Sequence, residues 1–174
     1  GAYGRSKAAG ELAVEEILGY GVESRATILR TGWVYGPVGR NFLLTMLRLH
    51  RLKAEAGEPL RVVADQVGCP TATFGLAAAC WAVIQHEVMG VLHWSDAGVA
   101  SWYDFAVAIG ELAVSHGVLS QAAQVLPITT TDYPTPAKRP AYSLLACGNT
   151  REQLHLAPRH WRCALEEVIQ RVGE

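Results

Sequence analysis

Apolar residues along this chain change their spacing repeatedly, and each change predicts an element. From Tyr3 to Leu18 the sequence is rich in Ala, Glu and Leu and closes on Gly19-Tyr20-Gly21, the pattern of a helix with a glycine stop. Arg25 to Arg30 reads as a short buried strand, followed by a glycine-punctuated loop through Gly39. Behind Asn41, a good cap residue, Phe42, Leu43, Met46, Leu47 and Leu49 fall at helical spacing, and that helix ends near Gly57. Leu60 to Val63 predicts a second strand, and Asp65-Gln66-Val67-Gly68-Cys69-Pro70-Thr71 a loop. A nearly all-apolar helix follows from Thr73 to His86, then a third strand from Val91 to Trp94. Ser101-Trp102-Tyr103-Asp104 has the form of a capping box opening a helix that stops near Gly117. Val125 to Ile128 reads as a strand, and a final amphipathic helix runs from His160 to Val172. Between them Tyr133 to Pro140 carries three prolines and is expected to be an ordered loop. Strands alternating with helices predict an α/β fold.

Composition narrows the function without naming it. Half of the 174 residues are hydrophobic, 18% are charged and the net charge is −1, enough chain to bury one core. That balance gives no electrostatic reason to expect nucleic acid or an anionic membrane surface as partner. No apolar run approaches the roughly 18 residues of a membrane span, and Gly1 to Arg5 do not have the design of a signal peptide. The four cysteines, at 69, 80, 147 and 163, form no C-x-x-C pair, which suits reduced thiols in a cytoplasmic protein. The six histidines are scattered, so no metal site is expected.

The candidate chemistry lies at the start. Tyr3 and Lys7 are four residues apart, so on a helix they share one face and can reach a common ligand. An ammonium beside a phenol favours the phenolate, so the phenolic proton can pass to a developing alkoxide. Such a pair arises easily by chance, and the surrounding residues decide its weight. Tyr3-Gly4-Arg5-Ser6-Lys7-Ala8-Ala9-Gly10-Glu11 is similar to the Y-G-x-[ST]-K-x-x-[GA]-E signature of extended short-chain dehydrogenases/reductases. Downstream stand Arg30-Thr31-Gly32-Trp33-Val34-Tyr35-Gly36-Pro37, then Asp65 to Thr71, then Tyr133-Pro134-Thr135-Pro136-Ala137-Lys138-Arg139-Pro140. In that order and at those separations the chain resembles the dTDP-4-dehydrorhamnose reductase family over most of its length.

The resemblance implies NADPH- or NADH-dependent reduction of the 4-keto group of a dTDP-4-keto-6-deoxy-sugar, in dTDP-rhamnose and polysaccharide biosynthesis. By the same resemblance Tyr3 is the general acid, and Lys7 holds the nicotinamide ribose. Thr31 joins them at the cofactor. Trp33 forms an aromatic wall on the sugar, while Asn41 and Arg139 are candidates for the sugar-diphosphate. Asp65, Gln66 and Thr71 are expected to shape a turn and cap the next helix rather than touch ligand. Residues 1–40 would be the later part of a Rossmann-type cofactor domain. Residues 41–174 would be mainly the small α/β substrate-binding region, with some returning Rossmann elements. The Gly-rich turn that receives a cofactor pyrophosphate in that fold, G-x-G-x-x-G, does not occur in these residues. The chain therefore reads as a fragment, inactive alone and expected to self-associate through its N-terminal third. Two other readings remain: a non-catalytic subunit similar to the regulatory subunit of methionine adenosyltransferase, and an extended-family epimerase or dehydratase. The Tyr3/Lys7 pair speaks against the first, and the Y-P-T-P-A-x-R-P loop against the second.

Overall fold

The computed structural model of the protein describes residues 1–19, 25–137 and 139–172. Its first helix, α1 (Ala2–Leu18), ends at Gly19, where φ reaches 89° and a side chain would be strained. The rest of the expected Gly19-Tyr20-Gly21 stop lies outside the described residues. No residue of α1 is buried. The strand β1 (Thr27–Arg30) follows, and β2 (Val34–Tyr35) interrupts what the sequence reads as one loop.

Helix α2 (Phe42–Ala56) begins where Asn41 Oδ1 accepts the Leu44 N–H at 3.1 Å and ends at Gly57, in the left-handed region. After β3 (Leu60–Val63) come two more two-residue strands, β4 (Val67–Gly68) and β5 (Thr71–Ala72), inside the stretch expected to be all loop. They are too short to show an alternating pattern and exist because distant partners meet them. Helix α3 (Thr73–Gln85), β6 (Gly90–His93) and β7 (Ala100–Ser101) precede α4 (Trp102–Ser115). The capping box forms: Ser101 Oγ accepts from Asp104 N at 3.1 Å, and Asp104 Oδ2 accepts from Ser101 N at 2.8 Å. The chain closes with β8 (Val125–Ile128), a single 3₁₀ turn (Thr130–Asp132), α5 (Gly148–Gln153) and α6 (Trp161–Val172).

Three of the four strand pairs among the described residues are parallel: β1 with β6, β3 with β8, and β2 with β5. Only β4 and β7 run antiparallel. Parallel neighbours need long crossovers, which α2, α3 and α4 supply, so the architecture is α/β.

The main core centres on α4, which packs between α2 and α6. Phe105, Ala106, Ile109 and Ala113 are fully buried there beside Leu43, Leu165 and Ile169. Small residues let the helices approach closely. A Cβ on Gly110 would lie 2.7 Å from His50 Cε1, so glycine leaves the space that this buried ring occupies. His50 Nε2 stands 3.0 Å from Ala106 O, and burial lowers its pKa, which keeps the ring neutral. A smaller cluster of Ala79, Ala82, Leu92, Trp94 and Leu154 joins α3 and α5 to β6.

The entrance of α3 departs from expectation. The cap position is Ala72, which has no capping side chain, and Thr71 is buried with its hydroxyl directed to Cys69 O. Instead the Asp96 carboxylate arrives from beyond β6 and accepts the Ala72 N–H at 2.9 Å. Asp96 is 3% exposed, and burial pushes its carboxyl up to about 6 against the lowering effects of that bond and of Arg151. A raised folded-state value means that the folded protein holds this proton at a pH where the unfolded chain has released it. The charged carboxylate is therefore a penalty that is present above about pH 6 and relieved as pH falls towards 4. Asp96→Asn keeps an acceptor for Ala72 and removes the charge. The variant should exceed the parent in urea stability at pH 8 by on the order of 2–3 kcal/mol, with the gap closing below pH 4. Equal gaps at the two pH values would refute the assignment.

Candidate active site

Tyr3 and Lys7 occupy the first two turns of α1, with Lys7 Nζ 5.7 Å from the centroid of the Tyr3 ring. Tyr3 is 77% exposed. One turn further on, Glu11 forms a two-point ion pair with Arg30: Nε donates to Oε1 at 2.8 Å, and Nη2 donates to Oε2. The Arg30 guanidinium holds the Glu11 carboxyl below the usual carboxylate range. Arg30 is the last residue of β1, so this pair pins α1 to the carboxyl end of a strand that runs parallel to β6. In open α/β sheets that edge is where ligands bind. Thr31 follows immediately and is exposed. Glu11 enters the sequence argument only as a letter of the motif; the structure gives it the task of positioning the helix.

A cavity of 490 Å³ opens between α2, β3 and the Tyr133–Pro140 loop. Phe42, Met46, Leu49 and Val62 make its apolar walls, Gln66 and Trp102 reach into it, and Arg139 stands with Tyr133 among its lining residues. Lys138 lies outside the described residues. The loop is held from below. Asp65 accepts both the backbone N–H of Thr130, at 2.9 Å, and its hydroxyl, at 2.7 Å, while Gln66 Nε2 donates to Thr130 Oγ1 at 3.0 Å. Asp65 thus shapes a turn as expected, although the turn belongs to the segment after β8. Gln66 does the same and also lines the cavity.

Trp33 and Asn41, the other two candidates for the sugar-nucleotide, are both tied into their surroundings. The Asn41 amide is committed to its surroundings: besides capping α2, Nδ2 donates to Gly36 O at 3.0 Å and to Val38 O at 3.1 Å. With both functions of the amide engaged, Asn41 clasps the loop before α2. Trp33, with φ of 53°, stacks on Trp102 at a centroid distance of 3.5 Å and an interplanar angle of 5°. A Cβ on Gly68 would lie 2.5 Å from Trp33 Cε2, so the glycine of the Asp65–Thr71 block is what admits the indole. Trp102, which sequence reasoning noticed only beside a helix cap, is the tryptophan that lines the cavity. Its one available signal was a large aromatic residue at the first position of a capped helix.

These features have counterparts in known proteins. Over residues 1–174 the chain matches the family described as RmlD substrate binding domain. It is 38% identical over 172 residues to a dTDP-4-dehydrorhamnose reductase of Aggregatibacter actinomycetemcomitans, covering 95% of this chain and 55% of that protein. It is 42% identical over 168 residues to the spore coat polysaccharide biosynthesis protein SpsK of Bacillus subtilis, covering 97% and 53%. Among solved structures, the dTDP-4-dehydrorhamnose reductase of Bacillus anthracis in complex with NADP superposes with a TM-score of 0.78 at 34% identity, covering 95% of this chain and 53% of that one. The chain spans about half the length of the curated relatives it matches. Motifs, parallel α/β topology and a match over every residue agree: the chain belongs to the RmlD substrate binding domain family.

Proposed function

We propose that these residues form the substrate-binding part and supply the proton donor of an NADPH-dependent reductase. Its substrate is a dTDP-4-keto-6-deoxy-sugar, and the reaction serves dTDP-rhamnose synthesis in the cytoplasm. The observation that carries this reading is the Tyr3–Lys7 pair on a helix pinned by Glu11–Arg30 to the carboxyl end of β1. A non-catalytic binding subunit has no use for a phenol so placed. NADPH is chosen over NADH because the Bacillus anthracis relative was solved with NADP.

In this reading residues 1–40 belong to the cofactor side, and residues 41–174 are mainly the substrate side. Tyr3, Lys7 and Thr31 would hold the nicotinamide end, and their hydroxyl and ammonium groups suit a ribose. The reduced nicotinamide supplies a hydride when bound. Tyr3 gives its phenolic proton to the sugar C4 oxygen as negative charge develops there, and Lys7 holds positive charge beside the ring from which the proton leaves. Arg139 binds the diphosphate, for which a guanidinium fork is geometrically suited. Phe42, Trp102 and Gln66 enclose the nucleotide end, with Trp33 behind Trp102 and Asn41 shaping the approach.

The direct test supplies the complete protein with dTDP-4-keto-6-deoxy-sugar and NADPH. One reduced sugar should form for each cofactor consumed. An isomerised sugar with the cofactor unchanged would refute reduction. Arg139→Ala should raise KM for the nucleotide-sugar by roughly 10-fold or more while kcat changes little, because its partner does not react. An unchanged KM would return Arg139 to a structural place in the loop.

A further inference from the structure

Helix α3 has an outer face that the fold leaves bare. Every other helix among the described residues carries charged side chains, and α3, from Thr73 to Gln85, carries none. A helix that is apolar on all sides is normally covered on all sides. Its inner side is covered: Ala79 and Ala82 pack with Leu92 and Trp94, and Leu29, Leu76 and Val83 close around them. On the outer side Trp81 is 66% exposed and Ile84 is 64% exposed, with Ala77 and Cys80 also open to solvent. One exposed apolar residue is ordinary. A tryptophan and an isoleucine one turn apart on a helix without charges mark a contact surface.

A hollow lies beside this projection. A cavity of 460 Å³ opens between α3 and β1, with Leu29, Val83, Val88 and Met89 as its apolar walls. Arg25 and Glu87 also line it, and neither side chain has an ion-pair partner among the described residues. An apolar projection, an apolar hollow and one charge of each sign on a single face make that face complementary to itself. When two copies meet about a two-fold axis, Trp81 of each can enter the hollow of the other, and Arg25 of each can meet Glu87 of the other.

We infer that the complete protein pairs with a second copy of itself through the outer face of α3, with Trp81 as the central anchor. Leu29 packs towards α3, while Arg30, the next residue of β1, pairs with Glu11 of α1. Helices α1 and α3 therefore cover opposite faces of the strand. The contact is a different surface from the exposed side of α1, and it leaves the Tyr3–Lys7 pair of each copy clear.

The test follows the mass of the complete protein by sedimentation equilibrium. The parent should have the mass of two chains. Trp81→Asp should raise the dissociation constant of the pair by roughly 30-fold or more, the loss expected when a central tryptophan anchor is removed, with turnover per chain unchanged. Arg25→Glu alone and Glu87→Arg alone should each weaken pairing by roughly 10-fold or more, because like charges then face each other. An equimolar mixture of those two variants should regain the parent's association, since each copy supplies the sign that the other has lost. Mixing cannot mend a contact within one chain, so these variants decide the matter even if Trp81→Asp fails to fold. A parent with the mass of one chain would overturn the inference and would mean that the rest of the protein covers α3. Parent affinity in Trp81→Asp would overturn it by placing the association elsewhere. A mixture that pairs no better than its components would overturn it as well.

Discussion

Tyr3→Phe should lower kcat on the keto-sugar by roughly 100-fold or more in the complete protein, with KM little changed. The substitution removes one oxygen and the proton proposed to neutralise the C4 alkoxide. Among the described residues no hydrogen bond depends on that oxygen. Tyr3 is 77% exposed on a helix that buries no residue, so the variant should melt at the parent temperature. The loss of rate is then a chemical effect and not a folding one. Turnover at the parent rate would mean that another group protonates the substrate, and the role given to Tyr3 would have to be withdrawn.

The second large effect concerns the 174 residues taken alone. They should bind NADPH no more tightly than roughly millimolar and should show no reductase activity. Tyr3, Lys7 and Thr31 offer contacts to one end of a dinucleotide, and the sequence contains no G-x-G-x-x-G turn to seat its pyrophosphate. The same chain presents Leu12 and Ile17 to solvent at 64% and 72% exposure, and β1 pairs with β6 alone among the described residues. An open strand edge beside exposed apolar side chains favours another copy of the chain. Light scattering should therefore report a mass above that of one chain. A monomer that binds NADPH at micromolar concentration would contradict both expectations.

Helices were legible in the sequence wherever period and cap agreed. Asn41 and Gly57 bracket α2, and Ser101 with Asp104 opens α4, because these signals act within a few residues. The four-residue strands β3 and β8 stood out for their apolar composition. The two-residue strands did not, since β4 is defined by Gly68 meeting Ala100 and β2 by Val34 meeting Thr71. Helix α5 was missed because it is six residues long, opens with Gly148-Asn149 and has no capping side chain. The site divides along the same line. Tyr3 and Lys7 are neighbours on one helix and could be read together. The Glu11–Arg30 pair, the Trp33–Trp102 stack and the space above Gly68 join separate segments, and no local pattern announces them. Asn41 shows the opposite difficulty: one amide suits both a cap and a ligand, and only its contacts with the cap and the loop are local enough to follow from its position before α2.

The clamp between Asp65 and Thr130 spans 65 positions of the chain. Such a contact cannot nucleate folding, because closing so long a loop costs entropy before any bond repays it. It can close only after β3 and β8 have come into register, from Leu60 with Val125 to Val63 with Ile128. Helices α2 and α4, whose caps are local, are free to form earlier. Refolding should therefore build the walls of the cavity before its mouth. The segment that carries Arg139 should take its place in the slowest step, and the diphosphate affinity proposed for Arg139 should return with that step rather than with helix content.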